Sequence, residues 1–155
     1  MTEFVEGTFL GLPKTDEEAD VAILSVPYEL TTSYGQGTVN GPEAAIRASA
    51  QVELYDPLLP EDLPCGFCLH TAKPWDGEGD SLQEQLEGIT NYVSQYQSSF
   101  SVILGGEHGM LPAIMKAVSQ QVDLGEMTLV QIDAHADLRD ELDGDPNNHA
   151  CAARR

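Results

Sequence analysis

Three residues able to bind a metal stand at alternate positions in "VQIDAHADLRD" (residues 130–140): Asp133, His135 and Asp137. A fourth, His108, lies upstream in "GGEHG" (residues 105–109). Carboxylates and an imidazole directly behind an apolar run are costly to desolvate alone, so the pattern calls for a compensating cation. Two imidazoles with carboxylates and no nearby thiolate suit manganese, zinc or iron better than calcium or magnesium. Two such ions sharing one carboxylate can lower the pKa of a water and present it to an electrophilic carbon. Taken singly, each motif is also what an exposed loop or a tight turn looks like. Together, in order, at the ends of consecutive apolar segments, they point to a metal site.

That reading depends on the elements carrying the residues. "ADVAILSVPYE" (19–29) has a β-branched apolar centre and predicts a buried strand. A glycine- and threonine-rich loop follows, then a helix from Pro42, where proline at an early helical position is well placed. Residues 56–80 carry prolines and glycines without a sustained period and read as an irregular excursion. "SLQEQLEGITNYVSQYQ" is the clearest helix: Ser81 and Glu84 have capping-box spacing, and Leu82, Leu86, Ile89, Val93 and Tyr96 share a stripe.

"FSVILGG" predicts a second strand, and its two glycines allow the backbone to turn closely beneath a metal site. "MLPAIMKAVSQQ" predicts a helix with Ile114, Met115 and Val118 inward. "EMTLVQIDAH" predicts a third strand. In an extended backbone, side chains two apart point the same way, about 7 Å apart. Strands alternating with helices imply an α/β domain, a three-layer α/β/α arrangement around a mainly parallel sheet. Ligands of such sheets gather beyond the carboxyl ends of the strands. If the second and third strands are neighbours, His108 meets the acidic triplet there.

The 155 residues, 41% hydrophobic and 21% charged, are the size and composition of one compact domain. No apolar run is long enough to span a bilayer, and the start lacks a secretory pattern, so no membrane association and a cytoplasmic location are expected. Asp+Glu number 26 against 7 Lys+Arg, a net charge of −19. Such a surface repels nucleic acid and draws cations; it is equally the signature of a well-solvated acidic surface. Three cysteines make no disulfide framework. Cys65, Cys68 and His70 lack the second ligand pair that a closed zinc site needs, so reduced loop thiols are expected, with Cys151 a packing residue.

"GGEHG" and "DAHADLRD" resemble the first two metal-binding motifs of the ureohydrolases, a family that includes agmatinase, arginase, formiminoglutamase and guanidinobutyrase. "PYELTTSYGQGTVNGPEAAIRAS" followed by "ELYD" is similar to the amino-terminal part of agmatinase-like members. The resemblance implies an arginase-like fold and two Mn2+ ions. By position, His108, Asp133 and Asp137 would bind one ion and His135 the other, with Asp133 shared. His149, in "NNHACAARR", falls where the family often places a histidine beside the substrate, and a proton donor there suits a poor amine leaving group.

The reaction implied is hydrolysis of a small cationic guanidino compound, with agmatine giving putrescine and urea. Guanidinobutyrate, guanidinopropionate, arginine and formiminoglutamate are the alternatives, and a non-catalytic metal-binding module is a rival of another class. The family continues into a Ser-x-Asp-x-Asp-x-x-Asp-Pro motif and a later glutamate, which these residues do not contain. Residues 1–155 are therefore expected to be the amino-terminal part of a single ureohydrolase domain, truncated, binding manganese weakly and turning over little alone. The full-length protein is expected to be a homo-oligomer.

Overall fold

The computed structural model describes residues 4–13, 19–77, 79 and 81–155. Its centre is β1 (Val21–Val26), a run of small and β-branched residues buried along nearly its whole length. Burial on both faces requires neighbours on both sides, and β1 has them. β2 (Leu69–Thr71) and β3 (Phe100–Gly105) flank it in the order β2-β1-β3, both parallel to it. Val21 is in register with Leu69 on one side and Phe100 on the other.

Alternation along β1 divides the core. Ala22, Leu24 and Val26 face a cluster built from Trp75, Leu86, Ile89, Val93, Ala113 and Ala117. Those residues come largely from α2 (Leu82–Ser94) and α3 (Leu111–Val118). Ile23 and Ser25 point to the opposite face. There α1 (Gly41–Ser49) buries Pro42, Ile46 and Ser49. Leu10 N–H donates to Ser49 Oγ, and Phe9 N–H to Thr71 Oγ1. Helices thus cover both faces of a parallel sheet, as the sequence predicts.

α2 begins as expected. Ser81 Oγ accepts from Glu84 N–H, while Ser81 N–H donates to the Glu84 carboxylate, closing the capping box. Leu86, Ile89 and Val93 are buried, with Leu82 and Tyr96 packed against them. α3 keeps its predicted facing in part: Ile114 packs against the core cluster, but the fully buried residues are Ala113 and Ala117, and Met115 and Val118 are half-buried. Small side chains let α3 approach α2 closely, and Thr90 Oγ1 donates to Ala113 O at 3.0 Å.

Two elements depart from the sequence reading. Residues 56–80 are not wholly irregular, because β2 lies among them. Three residues are too few to show a period, and β1 supplies the partner instead. Ala72 N–H donates to Ile23 O and Trp75 N–H to Ser25 O, prolonging that pairing.

The predicted third strand does not form. Residues 127–136 run without ladder pairing, and Val130 and Ile132 are 77% and 98% exposed. A strand's amides and carbonyls need a neighbouring strand. Among the described residues β3 pairs with β1 alone, so the expected pairing of the second and third strands is absent. Apolar sequence selects an extended backbone but cannot supply its partner. Among the described residues, no helix is long and apolar enough to cross a membrane.

Candidate metal centre

The turn after β3 is held by backbone contacts. Gly106 N–H donates to Val26 O at 3.2 Å and Glu107 N–H to Tyr28 O at 2.9 Å, so β1 and β3 stay joined beyond their ends. A Cβ on Gly106 would run into the Tyr28 carbonyl. Glycine is needed here for close approach, as the sequence suggests. A short 3-10 turn, His108–Met110, follows and leads into α3, with proline in its first turn.

Glu107 is 7% exposed. Its Oε2 accepts from the N–H groups of Leu30 (3.0 Å) and Thr31 (2.8 Å), and its Oε1 accepts from Thr31 Oγ1 at 2.7 Å. These bonds satisfy a buried carboxylate and tie the loop after β1 to the His108 turn. On the same loop, Glu29 accepts from Gly37 N–H, Thr38 Oγ1 and Val39 N–H. The Gly37 amide contributes most to holding its carboxyl below the ordinary range. Burial pushes the Tyr28 hydroxyl upward, with the Glu107 and Asp145 charges adding to it.

The structure brings His108, Asp133 and Asp137 together. His108 Nδ1 is 3.5 Å from Asp133 Oδ2, and His108 Nε2 is 3.8 Å from Asp137 Oδ2. One ligand atom from each of the three lies within 4.8 Å of the others. Metal–ligand bonds of about 2.0–2.2 Å would close that spacing with small side-chain rotations. His108 Nε2 is buried without a hydrogen-bond partner. An orphaned imidazole nitrogen beside two carboxylates fits a cation site, because a cation is what both lack.

Asp133 is held in its charged form chiefly by the His135 amide, which donates to Oδ1 at 2.8 Å; the His108 and His135 rings act in the same direction. Asp137, whose side chain is 7% exposed, accepts from Gln131 Nε2 at 2.8 Å. Its φ of 50° breaks the extended run, so the three alternating residues do not simply line one strand face. His135 stands at the rim, 83% exposed, with Nδ1 3.8 Å from Asp133 Oδ1. Asp133 therefore turns one oxygen towards each histidine.

His149 opens a 3-10 turn, His149–Arg154, capped by the Asn148 side chain. Its ring centroid is 5.9 Å from that of His108. Thr31 Oγ1 accepts from His149 N–H at 2.9 Å and lies 3.3 Å from Nδ1, while Ser33 Oγ lies 3.1 Å from Nε2. A crevice of about 260 Å³ opens beside the cluster. His108, Asp133 and Asp137 line it together with apolar Ile114, Leu129 and Ile132.

Sequence reasoning missed Thr31, Ser33, Glu107 and Gln131 as neighbours of these groups. Glu107 left a trace, a charge inside a glycine-rich turn at a strand end. The other three left none. Cys65 and Cys68 are free thiols outside the cluster, and Cys151 is buried.

A parallel sheet with a histidine just past β3 and two aspartates on a nearby irregular segment defines an α/β protein with a candidate cation site. Residues 19–155 match the Arginase family, and the chain belongs to it. It is 38% identical over 147 residues to the N(1)-aminopropylagmatine ureohydrolase of Synechocystis sp., covering 89% of this chain and 47% of that protein. It is 34% identical to the agmatinase of Pyrococcus horikoshii, covering 93% of this chain and 50% of that protein. Formiminoglutamase from Trypanosoma cruzi, solved with Mn2+, shares the fold at a TM-score of 0.74 and 21% identity, over 90% of this chain and 48% of its own. The chain spans about half the length of the curated relatives it matches.

Proposed function

We propose that this chain supplies the metal-binding and proton-transfer portion of a ureohydrolase site that cleaves a guanidino compound, most closely agmatine or an aminopropyl derivative of it. The meeting of His108, Asp133 and Asp137 around an orphaned imidazole nitrogen carries the reading. Family membership supports it, as do the names of the relatives from Synechocystis and Pyrococcus horikoshii.

His108, Asp133 and Asp137 would hold one divalent ion, and His135 with a shared Asp133 a second. Manganese is the metal proposed, supported by a donor set of imidazole and carboxylate and by the Mn2+ of the formiminoglutamase. Bound there, the metal supplies Lewis acidity towards a water and towards charge developing at the guanidinium carbon.

The chain's own residues do the rest. Asp133 stays ionised because amide and imidazole donors surround it. Ile114 and Leu129 supply an apolar wall to the crevice. The net charge of −19 favours encounter with a cationic substrate. His149 delivers a proton to the departing amine, whose expulsion as a neutral molecule needs one.

A chimera tests the reading: residues 19–155 replace the aligned portion of the Pyrococcus horikoshii agmatinase. Manganese-dependent urea release from agmatine, abolished by His149→Ala, is the expected result. A folded chimera that releases no urea from agmatine, aminopropylagmatine or guanidinobutyrate would overturn it. Manganese binding without turnover would instead match a metal-binding module.

A further inference from the structure

We propose that Thr31 is a positioning residue that sets the tautomer of His149, placing the ring proton on Nδ1 and the lone pair on Nε2. The proposal rests on the reading of His149 as the proton-transfer group. The bonding around one hydroxyl carries it.

A carboxylate has only acceptor sites, and a threonine hydroxyl has one proton. That proton goes to Glu107 Oε1, 2.7 Å away. The Thr31 oxygen then has lone pairs alone to offer. It accepts from the His149 backbone N–H at 2.9 Å, and it also faces Nδ1 of the same ring at 3.3 Å. A lone pair opposite a ring nitrogen is favourable only when that nitrogen carries hydrogen. Neutral His149 is thereby the Nδ1–H tautomer, the reverse of the form an imidazole side chain prefers in water. Which nitrogen is protonated follows from the bond made by the other.

Glu107 makes the arrangement rigid. Its second oxygen accepts from the amides of Leu30 and Thr31, so the backbone carrying the hydroxyl is fixed as well as the hydroxyl itself. On the other side of the ring, Ser33 Oγ lies 3.1 Å from Nε2, where its proton can be donated to the lone pair. With the ring proton on Nδ1, the Nε2 lone pair is the one left for the proposed proton transfer. Nδ1 keeps the same acceptor whether the ring is neutral or charged, so proton movement at Nε2 requires no rearrangement behind it.

Long-range 1H–15N spectra of the 15N-labelled chain, free of metal and at neutral pH, read the tautomer directly. Wild type and Thr31→Ser should show the ring proton on Nδ1, and Thr31→Val should move it to Nε2. Ser33→Ala, an exposed substitution, should leave it on Nδ1. A wild-type His149 protonated on Nε2 overturns the proposal. So does an unchanged tautomer in a folded Thr31→Val chain, or a tautomer that moves in Ser33→Ala. Should Thr31→Val fail to fold, the wild-type and Thr31→Ser spectra decide alone. Urea release is a separate readout, so the failure of either reading is distinguishable from the failure of the other.

Discussion

His108 faces Asp133 with Nδ1 3.5 Å from Oδ2, although one residue sits on a turn fixed by β3 and the other on a segment with no strand partner. Asp133 turns its other oxygen towards exposed His135, whereas Asp137 lies beside His108 with its side chain almost covered. Asp137→Asn should therefore weaken binding of the first manganese ion by at least about 10–100-fold, the loss typical when a residue that merely supports a ligand is changed. His135→Ala should change that first affinity much less. Isothermal titration with Mn2+ compares the two, and equal losses would contradict the placement.

Glu107 tests the link between the loop after β1 and the turn after β3. Its removal by Glu107→Ala leaves three donors without their acceptor in a site almost closed to water. A loss of ~3 kcal/mol is expected. For a chain of this size that is a Tm drop of roughly 6–12 °C by thermal circular dichroism. Glu107→Gln retains one carbonyl acceptor and should lose about half as much.

Gly106→Ala puts a methyl group against the Tyr28 carbonyl. Neither strand end can retreat, because Gly106 and Glu107 donate to Val26 and Tyr28. We expect about 2 kcal/mol of destabilisation by urea denaturation, the usual range for overpacking. Gly144→Ala has open space for its methyl group and serves as the comparison, although a φ of 80° strains it.

Glu29 gives a pH dependence. Its folded pKa is depressed, first by the Gly37 amide and then by Thr38 and Val39, relative to an ordinary value of 4.5. Its contribution is therefore present above the unfolded pKa and lost as pH falls through the lower, folded one. The Gly37 and Val39 amide resonances should hold steady down to about pH 4.5 and shift together below it. Glu29→Gln should remove that transition.

Where local pattern and tertiary structure agreed, the sequence was readable. Ser81 and Glu84 announced the start of α2, and Leu86, Ile89 and Val93 its buried side, because helical period and capping are local properties. Val21–Val26 was readable because burial on both faces leaves an uninterrupted apolar run. β2 was hidden because three residues show no period and its bonds come from β1.

Residues 127–132 misled for the opposite reason. Their side chains suit a strand, but pairing is not encoded in side-chain type, and no strand pairs with them among the described residues. At the site, Asp133, Asp137 and His108 were visible as types and spacing, and His149 through resemblance alone. Thr31 and Ser33 were invisible, since a hydroxyl in a loop acquires meaning only from what folds against it.

The central claim is that His108, Asp133 and Asp137 form a cation site, and manganese EPR tests it most directly. Titrating Mn2+ into the chain should bleach the free-ion signal saturably, and His108→Ala with Asp133→Asn should restore that signal while the circular dichroism spectrum stays unchanged. Undiminished binding in the folded double variant, or no binding by the wild type, would contradict the account.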